Sequence, residues 1–134
     1  CGRHFERQGQ RHSCKTVPPE FHFRNKEKEK LLYTKLLKAV KREVGPFDLE
    51  LLRCCIHLVN PSAFAAVKVM RNKIRVDFTL PCKLNNPRLH FSVQVSAHRY
   101  LYYVDIADKD EIDEELIAWI REAWHREKEQ PAAT

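Results

Sequence analysis

The stretch 73-KIRVDFTL-80 alternates without a break: Ile74, Val76, Phe78 and Leu80 are apolar, while Lys73, Arg75, Asp77 and Thr79 are polar. A period of two places successive side chains on opposite faces of a strand, so this segment reads as one strand with a buried face and a wet face. The residues before it, 64–70, have the same strand-forming character, and Arg71-Asn72 supplies a short turn between the two. Upstream, Leu52, Cys54, Ile56 and Leu58 alternate with Arg53, Cys55 and His57, and downstream 91–96 and 99–106 read as two further strands. Four to five strands over 49–107 with no helix between them predict an antiparallel sheet.

The period changes on either side of this block. Leu32, Leu36, Val40 and Val44 recur every four residues, with Tyr33 and Leu37 beside them, and Lys26, Glu27, Lys28, Glu29, Lys30 and Lys35 are assigned to the other face. That pattern predicts an amphipathic helix over 25–44, stopped by Gly45-Pro46. In 108-DKDEIDEELIAWIREAWHREKEQ-130 the acidic residues crowd the start, where they suit the positive end of a helix dipole, and Ile112, Leu116, Trp119 or Ile120, and Ala123 form a stripe. A second helix is expected over 110–128. The fold class predicted is α+β, with the N- and C-terminal helices packed on one face of the sheet.

A chain of 134 residues fits one domain. The expected division is an arm at 1–17, a single domain at 20–130 and a tail at 131–134, with Pro18-Pro19 as a stiff break. The formal net charge of +6 favours an anionic partner, nucleic acid among them, because a positive field concentrates phosphates and acidic surfaces. Five cysteines, odd in number and partly inside apolar runs, argue against a disulfide framework and for a reducing cytoplasm. No segment approaches a membrane span, and a chain that opens on Cys1 is expected to have lost its native start.

The arm 1-CGRHFERQGQRHSC-14 contains the pieces of a zinc site: Cys1-Gly2 opening a knuckle, Phe5 to shield it, then His12-Ser13-Cys14. Structural zinc takes four tetrahedral thiolate or imidazole ligands, and Cys1, His12 and Cys14 supply three. His4 is a further candidate, and a plain polar terminus is the bland reading. On the sheet, alternation assigns Arg53, His57, Lys68, Lys73, Arg75 and Arg99 to one wet face with Gln94, Tyr103, Asp77 and Asp105. A wet face bearing Arg and Tyr can hold phosphates and stack bases. It can equally be a solubility face, with the aspartates paired to Arg75, Arg99 or Lys73. A small-ligand-binding or metal-dependent enzyme with a cleft near Arg53 and His57 is the alternative, and Cys55 beside His57 formally resembles a nucleophile with its base. Phosphate-binding loops, nucleophile elbows and dinucleotide fingerprints are absent from the sequence.

Taken together, the arm, Val44-Gly45-Pro46, 63-AFAAVKVMRNKIRVDFTLP-81 and 111-EIDEELIAWIREAW-124 resemble a bacterial family known as domain of unknown function family 5655, over nearly the whole chain. In that family the arm usually begins Cys-x-x-Cys-Gly-Arg, and this sequence lacks the first Cys. The resemblance implies the fold and a zinc knuckle, and no particular activity.

Overall fold

The computed structural model describes residues 16–129. Its elements run α1 (Glu20–Phe23), α2 (Glu27–Glu43), β1 (Asp48–Leu51), β2 (Ile56–Val59), β3 (Ala63–Met70), β4 (Lys73–Leu80), β5 (His90–Ser96), β6 (Arg99–Ile106), a 3-10 turn at Lys109–Glu111, and α3 (Glu114–Glu129). All six strands form one antiparallel sheet in the order β1-β2-β3-β4-β6-β5. The class is as expected, with one strand more than the alternation suggested. None of the described helices is long and apolar enough to cross a membrane.

The extra strand comes from a turn hidden in the apolar run Leu51–Ile56. Leu52 N–H donates to Cys55 C=O at 2.9 Å, closing a two-residue loop at Arg53-Cys54, so the expected strand from Leu52 to Leu58 opens on a turn: its strand begins only at Ile56, and Asp48–Leu51 ahead of the turn pairs back on it as β1. Neither loop residue is Gly, Asn or Asp, the residues that usually announce such a turn.

One face of the sheet is the core. Ile56, Leu58, Val67, Ile74, Val76, Phe78, Leu80, Tyr102, Val104 and Ile106 are buried there against Leu32, Leu36 and Val40 of α2 and Leu116, Ile117 and Ile120 of α3. Both long helices therefore pack on the same side, because each has a single apolar stripe and only this face offers apolar partners. The α3 start is fixed by its acids: Asp108 and Glu111 form a reciprocal cap around the 3-10 turn, and Asp113 accepts from Leu116 N–H at 3.1 Å. Arg88 ties the 81–89 connection to that start, donating to Asp113, Glu115 and the Glu111 carbonyl.

Glu29, assigned by sequence to the wet side of α2, is buried instead. Its Oε2 accepts the backbone N–H of Asn72 at 2.6 Å, and Asn72 has a φ of 65° at the tip of the β3–β4 hairpin. The carboxylate thus satisfies a strained turn that the helix packs against. At the other end of α2, Gly45 has a φ of +157°, and a Cβ there would lie 2.5 Å from Cζ2 of Trp124 in α3. Only glycine permits that approach.

Candidate functional site

The face of the sheet away from α2 and α3 carries two cross-strand rows set by the register. One runs Glu50, His57, Ala66, Asp77, Tyr103, His90 from β1 to β5. The next runs Lys68, Arg75, Asp105 across β3, β4 and β6. These nine side chains share one face because directly paired residues of neighbouring strands point the same way, and the insertion of β6 between β4 and β5 continues the rows.

Asp105 is the electrostatic centre. Arg75 donates from Nε to Oδ1 at 2.7 Å and from Nη2 to Oδ2 at 3.1 Å, and Lys73 Nζ lies 3.0 Å from Oδ2. The Arg75 guanidinium beside it, with Lys73, holds the Asp105 carboxyl below the usual carboxylate range. Asp77 behaves oppositely: burial pushes its carboxyl up to about 6, although Arg75 and Lys68 pull it down. The sheet thus carries one carboxylate that is firmly charged and one that titrates near neutrality.

Aromatic groups complete the patch. The Arg75 guanidinium carbon sits 4.1 Å from the centroid of Tyr103, and His90 stacks on the same ring with centroids 5.0 Å apart and planes 20° from parallel. His57 is mostly covered, its Nδ1 3.8 Å from Oε1 of Glu50. Cys55 is half-buried with its Sγ 3.2 Å from that of Cys54, and burial, with Cys54 adding to it, pushes its thiol up to about 12. Such a thiol stays protonated and is a poor nucleophile at neutral pH.

The six residues expected on the wet face separate into three places. Lys68, Lys73 and Arg75 are together, with His57 in the neighbouring row. Arg99 is on the same alternation of β6 but at the far end of the strand, paired with Ser96. Arg53 is not on the face at all: it lies in the β1–β2 loop, its guanidinium carbon 5.5 Å from the ring centroid of Phe21 in α1. Gln94 also leaves the face, because register shifts at Phe91/Val93 and Gln94/Ser96 set it opposite Tyr100 on the other side. Sequence reading missed Glu50 and the stacking of His90. Both follow from cross-strand neighbours, which no local pattern encodes.

Cys1, His12 and Cys14, the expected zinc ligands, lie outside the described residues. Among the described residues, no group of three or more His, Cys, Asp or Glu side chains is arranged to hold a metal ion.

No curated protein and no solved structure shows significant similarity to this chain. A family model does: Domain of unknown function (DUF5655) matches residues 20–126, which takes in both long helices' packed segments and the entire sheet. With that match spanning most of the sequence, the chain belongs to the DUF5655 family.

Proposed function

We propose that the protein is a binding module that holds single-stranded nucleic acid on the open face of its sheet. The observation that carries this reading is the layered contact of Arg75, Tyr103 and His90, set beside Lys68. Planar and cationic groups on a wet sheet offer bases a stacking surface and phosphates a counter-charge. Lys68, Lys73 and Arg75 face two carboxylates, Asp77 and Asp105, so the net positive charge is small and stacking carries most of the interaction. In the same reading, zinc is a structural ion on the arm, with Cys1, His12 and Cys14 among its ligands.

The test is fluorescence anisotropy of a labelled single-stranded oligonucleotide at several salt concentrations. A log-log slope of about 1 to 2 is expected, far below that of a phosphate-dominated site. Arg75→Glu should remove binding, because it places a carboxylate against Asp105 and strips one side of the Tyr103 stack. Arg53→Glu, off the face, should leave it nearly unchanged. Absence of binding at low salt with tens of micromolar protein overturns the proposal.

A further inference from the structure

The strongest positive surface of the described residues is not the sheet but α2. Lys28, Lys30, Lys35, Lys38, Lys41 and Arg42 are all exposed, against exposed Glu27 and Glu43 only, since Glu29 is buried on Asn72. Glu43 is itself taken by Arg42, Oε2 to Nε at 2.9 Å. No salt bridge among the described residues engages these five lysines, so against the lone unpaired carboxylate of Glu27 they give the helix a predominantly positive face.

Beside this field lies a cleft of about 420 Å³ between α2 and the start of β1. Its apolar lining is Leu37, Phe47 and Leu49, and its charged lining is Lys38, Lys41 and Asp48, so cations outnumber the single carboxylate. Leu49 remains 40% exposed, and Leu31, two turns before Lys38 on the same helix, is 72% exposed. Together with the cleft lining these exposed aliphatic side chains form an apolar strip beside the lysines that a partner can cover.

The geometry points to this cleft as a docking site for an acidic peptide segment that inserts one aliphatic side chain between Leu37, Phe47 and Leu49 and sets carboxylates against Lys38, Lys41 and their helix neighbours. Charge complementarity decides the occupant's sign: six cations on one helix face would repel a basic partner and a second copy of the same face. The cleft's chemistry decides its class. Phe47, with Lys41 Nζ over its ring 5.5 Å from the centroid and the Phe64 ring 6.1 Å away, joins Leu37 and Leu49 in an apolar wall edged by cations, which suits an aliphatic side chain flanked by carboxylates. The volume suits a branched side chain with room for its flanking backbone, and rigid helix positions hold the lysines at fixed spacing.

The site is separate from the sheet face and does not rest on the nucleic-acid reading. The experiment is a titration of the purified chain with labelled short peptides: one with Leu flanked by Glu and Asp, one with Ala replacing that Leu, and one with Gln and Asn replacing the acids. The Leu-acid peptide is expected to bind at low salt, with at least tenfold weaker binding for either altered peptide. The double variant Lys38→Glu/Lys41→Glu, both positions exposed and outside the core, should abolish peptide binding while leaving the circular dichroism spectrum and oligonucleotide binding intact. Arg75→Glu should do the reverse. Three results overturn the proposal: no binding of the Leu-acid peptide at low salt, equal binding of the Ala peptide, or binding that survives the double charge reversal. Loss of oligonucleotide binding on that reversal, with no peptide binding, would assign the helix to nucleic acid and refute the peptide site.

Discussion

Replacing Asp77 by Asn should stabilise the protein, and the gain should grow with pH. Burial raises the folded carboxyl from 3.8 to about 6, so the folded state binds its proton more tightly than the unfolded chain does. The sign follows: stability from this group is fully present below pH 3.8 and is lost as pH rises through the interval up to 6, since ionising Asp77 costs more in the fold than in water. At ~1.4 kcal/mol per pH unit, the two values imply a penalty of about 1 kcal/mol at pH 4.5 and about 3 kcal/mol at pH 7.5. The attraction of Arg75 and Lys68 is already included in that difference, because both lower the value that burial raises. Asn removes the ionisation while keeping the shape. Thermal melts should therefore show a midpoint about 10 °C higher for the variant at pH 7.5, with a distinctly smaller gain at pH 4.5. Asp105→Asn provides the opposite sign, for Arg75 stabilises that carboxylate in its charged form, and neutralising it should lower the midpoint at pH 7.5. A D77N variant no more stable than the native chain at pH 7.5, or a gain that does not change between the two pH values, would refute the reasoning.

Two further perturbations probe the scaffold that aligns the strands. Glu29→Ala removes the charged acceptor of the part-buried Asn72 N–H and should cost about 1 to 3 kcal/mol by urea denaturation, and a change below half of the lower figure would show that water replaces the carboxylate. Gly45→Ala puts a Cβ against Trp124, whose Nε1 donates to Pro46 C=O at 3.1 Å, and forces an L-residue into a positive φ. A loss of about 1 to 3 kcal/mol is expected from the backbone strain alone, together with a shift in tryptophan emission as the indole is displaced.

Much of this protein was legible from its residues taken a few at a time. Strict alternation in Lys73–Leu80 fixed which side chains of β4 face the core and which face out, because the strand period is a property of the backbone. The same locality made the two helices and their stripes readable, including Gly45-Pro46 as a stop. Where local signals were weak the reading slipped. The Arg53-Cys54 loop has no turn residue to mark it, and Glu29 looks like any other charge of a lysine-rich helix until the hairpin it caps is packed beside it.

The candidate site belongs to tertiary structure. Arg75 and Asp105 are separated by a connection, a whole strand and a hairpin, and they pair only because β5 goes to the sheet edge and β6 returns beside β4. That same order brings Tyr103 next to Asp77 and His90 onto Tyr103, while the bulges in β5 send Gln94 to the other side. The sequence by itself determined which residues could stand on the open face, since side-chain direction alternates with position. Which of them would touch depended on strand order and register, and these are decided by the burial of the whole apolar face against α2 and α3, a sum over distant residues that no short stretch of chain contains.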